Sequence, residues 1–484
     1  MKNILYSLVC LLFIFSCSKK DIKIDVGPDI INPNYLGNGA EWDPYCEAEL
    51  WGATVTEDMW KTIFERTDYM KMSIVRCMIN SPFRYYNNET GKFERDRNIE
   101  SLKRMLSYCQ KNNITVMYGE FNPPSPALKN DMRWISMSVK YLNYLVVDCG
   151  FNCIKYFIPA NEPDGSWSFY DGNYESYKDL ISKFHKEMKL YPELSEHIKF
   201  AAPDVVLGYK NPKYDMQAAD WVAGSARDID SLVGVYEIHT YPGYKQVRDG
   251  SFSKMLKDIL KEVPAGKQLI IGEAGYKAGK EGDSLENRIH KEKLDKTPLI
   301  TNKEGADCNM RVYDFEYGLD MALLAMEVMN SGGSGVAAWM LDDSHSVGDR
   351  GDTANVKIWG MWNIFGLKIP SMKNEENLRP WYYAWSLMCR YFPAGSNILK
   401  TSISEVKDLN IVASVKDGKL SIAFLNRSSE RMDLNVGIPG EFKEARVFRY
   451  EKDNMNISGE SIKAEKRFNL KISGKSLVVI TDLN

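Results

Sequence analysis

The chain has 484 residues, of which 44% are hydrophobic and 26% charged, and its formal net charge at pH 7 is −3. This length favours two domains, and the composition is typical of a globular protein that can bury a full core. A net charge so close to zero, without a basic cluster interleaved with aromatic residues, gives no support to nucleic-acid binding or to attraction by an anionic membrane surface.

The first residues predict a lipid anchor. Lys2 precedes an apolar run over residues 4–15, which is shorter than the ~20 residues of a membrane-spanning helix. Residues 14–17, Ile-Phe-Ser-Cys, resemble a bacterial lipobox, in which the signal is cut before a cysteine that becomes lipidated. The resemblance implies a signal peptide over residues 1–16, lipidation at Cys17 and a place in the bacterial cell envelope, on the periplasmic or the surface face of the outer membrane. An ordinary signal peptide is the alternative.

Short apolar segments alternate with helical patterns eight times. The strand segments fall at residues 35–41, 73–79, 114–120, 154–159, 198–202, 233–238, 268–272 and 335–340. They are continuous apolar runs, as expected for strands that are buried on both faces. The helical patterns follow at residues 57–70, 98–112, 130–149, 173–190, 214–229, 251–262, 312–330 and 379–391. Eight such units predict a (β/α)₈ TIM barrel over residues 35–392, with its active site at the carboxyl ends of the strands.

The pattern changes after residue 392. Short strands separated by turns follow at residues 409–415, 419–426, 432–436, 445–450, 467–470 and 476–480. Asp417-Gly418, between the first two, is a strong hairpin signal. We therefore predict a small C-terminal β-sandwich over residues 395–484. Residues 17–34 form a linker from the lipid, part of which either pairs with this sandwich or simply joins the anchor to the barrel.

Two glutamates directly follow apolar strands of the predicted barrel. Glu162 follows the fourth strand, and Glu273 follows the seventh. A lone glutamate is usually a solvated surface charge, but a charge in this position has no packing role. Because the strand ends converge at the mouth of a barrel, the two carboxyl groups would face each other. Glycoside hydrolysis needs such a pair, one to protonate the leaving oxygen and one to attack the anomeric carbon or to help water attack it. Asn161 adds a donor for a sugar hydroxyl.

These segments resemble glycoside hydrolase clan A, the retaining (β/α)₈-barrel glycosidases, over about residues 35–391. The clan's signature is an Asn-Glu pair that ends strand four and a glutamate that ends strand seven, which Asn161-Glu162 and Glu273 match. The resemblance implies that Glu162 is the acid/base and Glu273 the nucleophile. An appended β-sandwich points to a type like that of family five, thirty or thirty-nine. Strand three departs from the pattern, because it ends without the histidine that several clan families carry there.

Further residues fit the same resemblance. Arg76 ends strand two, where the clan places an arginine near the nucleophile. His239 and Tyr241 match a His-x-Tyr pair that ends strand six, and the resemblance implies that Tyr241 hydrogen-bonds the nucleophile. Trp339 ends strand eight, where the clan places a tryptophan under the sugar at the cleavage point. Taken singly, Arg76 could be a salt-bridge partner, His239 a core histidine and Trp339 a packing residue.

Loop residues supply tentative sugar subsites, with ordinary loop packing as the alternative. These residues are Trp42, Asn122, Trp167 and Trp362. Residues 276–309 are polar and lack periodicity, which predicts a long loop that walls one side of the cleft. Cys149 and Cys153 could pair or bind a metal, but no matching second pair exists, so neither reading is favoured. The sequence predicts no metal and no other cofactor.

The leading functional hypothesis is a retaining hydrolase of a β-linked oligo- or polysaccharide. A transglycosylase on the same fold is a second hypothesis. A third, of another class, is a non-catalytic surface glycan-binding lipoprotein, which would keep the aromatic residues but would not need both glutamates. The predicted partners are therefore a carbohydrate and, through Cys17 alone, a membrane.

Overall fold

The computed structural model of the chain describes residues 22–45, 54–345, 356–404 and 406–483. Within these residues, eight parallel strands close into a barrel, and a mixed sheet forms a second domain. The barrel strands are β2 (Gly37–Glu41), β3 (Ile74–Ile79), β4 (Thr115–Glu120), β5 (Ile154–Ile158), β6 (Lys199–Leu207), β7 (Val233–Thr240), β8 (Leu269–Ala274) and β9 (Gly335–Ala338). The predicted TIM barrel is thus confirmed, and each predicted strand coincides with one of these eight.

Helices surround the barrel because its strands are apolar on both faces. Inward side chains such as Ile74, Met117, Val235 and Ile270 form a small core inside the barrel, and outward side chains join a larger core beneath the helices. The helices are α1 (Glu57–Met70), α2 (Ser81–Arg84), α3 (Glu100–Lys111), α4 (Met132–Asn143), α5 (Tyr174–Met188), α6 (Pro192–His197), α7 (Ala218–Asp228), α8 (Tyr244–Arg248), α9 (Ser251–Leu260), α10 (Ser284–Lys296), α11 (Phe315–Ser331) and α12 (Trp381–Tyr391).

The segment over residues 276–309 differs from its prediction as a long loop. It contains α10, which covers Ser284–Lys296. Only Glu286 and Leu294 of this helix are buried, so its sequence carries no apolar stripe from which a helix could be predicted. The short strands β10 (Ser344–His345) and β11 (Val356–Lys357) form a separate pair after the barrel.

The second domain is a nine-stranded mixed sheet in the described part of the chain. Its strands are β1 (Ile22–Tyr35), β12 (Ser396–Ile403), β13 (Leu409–Lys416), β14 (Lys419–Asn426), β15 (Met432–Gly437), β16 (Phe442–Glu451), β17 (Asn454–Ala464), β18 (Arg467–Ile472) and β19 (Ser476–Thr481). They lie in the order β17-β16-β19-β14-β13-β12-β1-β15-β18. Phe442 of β16 contacts Phe468 of β18, near the opposite ends of that order, at 6.3 Å between ring centroids. The sheet therefore folds over its own core as a β-sandwich-like domain.

The N-terminal strand belongs to this second domain rather than to the barrel. β1 pairs antiparallel with β12 and parallel with β15, and it leads directly into the first barrel strand. Of the two alternatives left open for the residues before the barrel, the described part from Ile22 onward pairs with the sheet.

The outer face of the sheet packs on α11 and α12 of the barrel. Tyr450 stacks on Phe315 at 4.4 Å between centroids, and its hydroxyl donates to the Phe315 carbonyl. Asn32 of β1 donates to the carbonyls of Met329 and Gly333. These contacts hold the second domain against both ends of α11, on the side of the barrel.

The predicted lipid anchor at Cys17 lies outside the described residues. Among those that are described, no helix is both long and apolar enough to cross a membrane. The six described cysteines, Cys149 and Cys153 included, are free thiols.

Candidate active site

Glu162 and Glu273 meet at the mouth of the barrel. Glu162 lies four residues after the end of β5, and Glu273 is the penultimate residue of β8. His239, at the end of β7, stands between them: its Nδ1 atom is 2.8 Å from Glu162 Oε1 and 3.4 Å from Glu273 Oε2. An oxygen of each carboxyl group and a nitrogen of His239 all lie within 4.8 Å of one another. The sequence thus brings two carboxyl groups from distant segments into one small site.

Glu273 is buried and held by two strong donors. Arg76 Nη1 donates to Glu273 Oε1 at 2.5 Å, and the Tyr241 hydroxyl donates to Oε2 at 2.6 Å. Each carboxylate oxygen therefore accepts a short hydrogen bond, one of them charge-assisted. Burial and the negative charge of Glu273 raise the pKa of Tyr241 well above its ordinary value, so the hydroxyl stays a donor. This arrangement favours an ionised Glu273 with a fixed orientation.

Glu162 is more open and less constrained. Its Oε1 contacts His239, and its Oε2 accepts from the indole N–H of Trp167 at 2.6 Å. The backbone of Glu162 has φ of 43°, in the left-handed region that residues other than glycine rarely adopt. The Glu162 N–H donates to Asp204 Oδ1 at 2.8 Å, which holds this strained turn in place.

Arg76 donates hydrogen bonds to side chains on several other barrel strands. Its guanidinium is fully buried and also donates to Glu41 at 2.5 Å, to Asn161 Oδ1 at 2.7 Å and to Asp204 at 3.0 Å. Burial alone lowers the pKa of Arg76, but Glu41 and Asp204 outweigh it and hold that pKa well above the ordinary value. Arg76 is therefore a permanent buried cation that joins β2, β3, β6 and β8.

Sequence reasoning missed three buried acids below the site. Glu41 ends β2, Asp204 lies in β6 and Glu237 lies in β7, and none of the three is exposed to solvent. The signal was present, because each is a charge within or directly after an apolar strand, as Glu162 and Glu273 are. Asp204 escaped notice because the fifth strand was predicted to end at residue 202, whereas β6 continues to Leu207.

These acids fix the charge of His239. Its Nε2 atom lies 3.3 Å from Glu237 Oε1 and 3.5 Å from Asp204 Oδ1. Burial lowers the pKa of His239, but the carboxylates of Glu273, Asp204 and Glu237 outweigh it and raise the pKa well above its ordinary value. Burial raises the pKa of Glu237 to about 8. At neutral pH His239 is therefore an imidazolium that can donate to Glu162 from Nδ1.

The remaining residues that were predicted to support the site also lie at it. Asn161 accepts from Arg76 through Oδ1, which leaves its amide nitrogen as the donor. Trp339 is 8% exposed and forms a small aromatic cluster with Trp359 and Tyr241. Tyr241 meets Trp359 edge to face at 5.8 Å, so these rings wall the side of the site next to Glu273.

The four tentative subsite residues divide into two groups. Trp167 is 53% exposed, and half-buried Asn122 accepts from the Phe169 N–H of the loop after β5. The other two were wrongly predicted. Trp42 packs edge to face on Tyr108 in the core, and the buried Trp362 donates to Asp342 at 2.9 Å. Rings that lack exposed faces cannot stack on a sugar.

The same cluster contains the donor types that metal ions use. Glu162, His239 and Glu273 form one compact triad, and Asp204, Glu237 and His239 form another. An imidazolium has no lone pair to give a metal, however, and Arg76 adds a second positive charge among these acids. These two positive charges disfavour a cation at either triad.

No protein-family model and no curated protein matches the chain. Solved structures do match. A GH30 endoxylanase from Clostridium papyrosolvens C71 has a TM-score of 0.60 and 13% identity, with 96% of this chain and 100% of that chain covered. A GH39 β-xylosidase from Caulobacter crescentus has a TM-score of 0.58 and 11% identity, with 96% and 99% covered. The fold is that of the clan A glycoside hydrolases. An α-L-arabinofuranosidase from Thermotoga maritima agrees, with a TM-score of 0.63, 14% identity and 95% and 99% covered. At such identities the likeness establishes the fold, and the activity is argued from the site.

Proposed function

We propose that this protein is a retaining glycosidase that hydrolyses a β-linked oligo- or polysaccharide. The observation that carries the proposal is the approach of the two carboxyl groups, with one oxygen of each within 4.8 Å of the other. Retaining enzymes separate these groups by about 5–5.5 Å, whereas inverting enzymes leave about 6.5–9.5 Å for a water molecule. Oxygens this close leave less room for a water molecule than the inverting arrangement needs, which supports direct attack by a carboxylate on the sugar.

The contacts of the two glutamates support different roles. Glu273, with Arg76 and Tyr241 on its oxygens, is suited to be the nucleophile, because both donors favour the carboxylate form. Its attack on the anomeric carbon breaks the glycosidic bond while Glu162 gives its proton to the leaving oxygen. Water then attacks the glycosyl-enzyme, with Glu162 as the base that takes the water's proton. The product keeps the configuration of the substrate.

The buried charges argue against a protein that only binds glycans. Asp204 and Glu273 are withdrawn from water around one arginine and one histidine, and the buried acids Glu41 and Glu237 lie beside them. Burying charge costs free energy even when the groups are paired. A binding surface has no need for such an arrangement below two facing carboxyl groups, whereas catalysis uses it to fix orientation and charge.

Removing each carboxyl group in turn tests the two roles. Glu273→Ala should abolish turnover of every aryl β-glycoside and polysaccharide in a panel. Glu162→Ala should lose far more activity on substrates with poor leaving groups than on activated aryl glycosides, which need no proton. Added azide should restore turnover of Glu162→Ala and yield a β-glycosyl azide. Chromatography of the products reads each result.

A matched control removes an exposed glutamate. Glu196 lies on the surface in α6, and Glu196→Ala should behave as the unaltered protein. Equal losses in Glu162→Ala on both substrate types, without azide rescue, would remove the assignment of the acid/base. Binding of glycans without turnover of any would favour the glycan-binding alternative, and transfer products in place of free sugars would favour the transglycosylase.

A further inference from the structure

The loop after β5 folds back so that one of its side chains touches the acid/base. Trp167 follows Glu162 by five residues, and its indole N–H donates to Glu162 Oε2 at 2.6 Å. The turn is closed by the Gly165 N–H, which donates to the Glu162 carbonyl at 2.9 Å. A Cβ atom at position 165 would lie 2.3 Å from Cε2 of Trp167. Glycine at this position therefore lets the ring return to Glu162.

This contact engages the second oxygen of Glu162. Oε1 already contacts His239 Nδ1 at 2.8 Å, so both oxygens accept from a donor. Donors to a carboxylate favour its charged form, but the first step of hydrolysis needs the protonated form, with its O–H directed at the leaving oxygen. In the free protein, therefore, both oxygens of Glu162 are held by other side chains and neither is available to direct an O–H at the leaving oxygen.

Trp167 is also the most exposed of the three tryptophan side chains named at this site. It is 53% exposed, whereas Trp339 and Trp359 on the opposite side are 8% and 2% exposed. Tyr209 lies against it at 4.7 Å between centroids, and the Tyr209 hydroxyl accepts from the Ser166 N–H at 3.2 Å. A supported, exposed ring is a surface on which the apolar face of a sugar can stack. Because the acid must reach the leaving oxygen, this ring lies on the leaving-group side.

We propose that Trp167 is a latch on Glu162 that the leaving-group sugar opens, by drawing the indole into a stack and freeing Oε2 to donate its proton. The proposal rests on the proposed function. It identifies the preferred substrate as a glycan whose leaving group is itself a sugar, because a small alcohol offers no face to hold the ring. Binding of the leaving-group sugar is then coupled to the release of Glu162 Oε2 for proton transfer.

Several charged or titratable groups face Glu162 from the surrounding elements. They are His239 and Tyr241 of β7 and its end, Asp204 of β6, Glu273 of β8 and Asp164 of its own loop. None of them is altered by a change at position 167. A change in pH dependence on removing the indole N–H therefore reports on that hydrogen bond.

Trp167→Phe keeps an aromatic ring and removes the N–H. On an oligosaccharide, the alkaline limb of kcat/KM should move up by about half to one pH unit, because the charged form of Glu162 loses a donor. On a glycosyl fluoride, whose leaving group needs no proton and has no face to stack on the ring, kcat/KM should stay within about two-fold. Trp167→Ala, which also removes the stacking surface, should lower kcat/KM on the oligosaccharide by a further ten-fold or so.

Gly165→Ala is a second variant that leaves the indole in the chain. Its added methyl group should push Trp167 away from Glu162, so its alkaline limb should move in the same direction as that of Trp167→Phe. Movement of the limb in neither variant would overturn the latch.

A measurement without turnover separates this proposal from the proposed function. The fluorescence of the unaltered protein minus that of Trp167→Phe isolates residue 167 among the 11 tryptophans. This difference should titrate with pH and lose its titration in Glu162→Gln, and addition of an oligosaccharide to Glu162→Gln should change it. If the fluorescence difference titrates but the protein turns over no glycoside, both the proposed function and the latch are contradicted. Turnover of glycosides with a difference signal that neither titrates nor responds to oligosaccharide would overturn the latch alone.

Discussion

Removing the hydroxyl of Tyr241 tests how Glu273 is held in place. Tyr241→Phe keeps the ring against Trp359 and removes only the 2.6 Å hydrogen bond to Glu273 Oε2. We expect kcat/KM to fall about ten- to thousand-fold, because the nucleophile loses a donor that orients it. The melting temperature should barely move.

Tyr214→Phe is the matched control for this change. Tyr214 is 39% exposed, and its hydroxyl accepts from Asn173 on the surface. It should lose neither activity nor stability. If Tyr241→Phe instead lost stability in proportion to activity, Tyr241 would be a packing residue rather than a support of Glu273.

Glu120, at the end of β4, makes stability depend on pH. It is fully buried, accepts from Tyr85 at 2.6 Å and from Ser138 at 2.9 Å, and burial raises its pKa from 4.5 to about 8. Between these values the folded protein keeps a proton that the unfolded chain has lost. The free energy of unfolding should therefore fall as the pH rises.

Glu120→Gln removes this titration, so between pH 5 and 8 its free energy of unfolding should fall by roughly 3 kcal/mol less than that of the unaltered protein, at about 1.4 kcal/mol per pKa unit. Urea denaturation at several pH values measures the difference. Parallel curves for the two proteins would show that Glu120 is ionised throughout in the folded state.

At the residue scale, functional residues can be predicted from the sequence where a charged residue interrupts or ends an apolar strand pattern. Glu162 and Glu273 stand out because a charge follows an apolar strand. Glu237 has the same property but sits inside its strand, where only the structure shows that it faces His239. Trp42 and Trp362 were misassigned because residue type alone does not distinguish a ring in a loop from a ring in the core.

At the scale of elements, the barrel could be predicted, whereas two strands of the second domain, β12 and β17, could not. The barrel strands are continuous apolar runs, and the eight main helices carry apolar stripes. β17 is mostly exposed and so is the second half of β12, which explains why both were missed. α10 was missed because only two of its residues are buried. Elements that bury little leave little trace in the hydrophobic pattern.

A substitution in β1 tests whether this strand holds the second domain together. It lies between β12 and β15, and its fully buried Ile24 reaches the core of the domain. Ile24→Ala should lower the free energy of unfolding of this domain by about 2–5 kcal/mol, because it leaves a cavity. kcat at 25 °C should not change, since the proposed catalytic residues are on the barrel.

Ile30→Ala in the same strand is the control, because Ile30 is 51% exposed and should tolerate the change. Calorimetry follows both variants. Equal and small effects of the two substitutions would mean that β1 is not an integral strand of the domain.

At the scale of the whole molecule, the sheet domain packs on the helices at the side of the barrel. The chain enters β1 at Ile22, a few residues after the predicted lipid attachment site. We propose that the mature chain begins at a lipid-modified Cys17. Two or more acyl chains attach a protein stably to a membrane, whereas one binds only marginally.

Cys17→Ala should release active protein from the membrane fraction of cells, because residue 17 is remote in sequence from every proposed catalytic residue. Fractionation with an activity assay measures this, and protease treatment of intact cells reports the face. Recovery of Cys17→Ala in the membrane fraction would refute the lipid anchor.

The central claim is that Glu273 attacks the sugar directly while Glu162 serves as acid and then as base. Proton NMR of the reaction mixture in its first minutes measures it most directly, because it resolves the anomeric configuration of the product before mutarotation. The account predicts that the first product from a β-glycoside is the β-anomer, by two displacements. An α-anomer as the first product would contradict it and would make Glu273 the base for a water molecule.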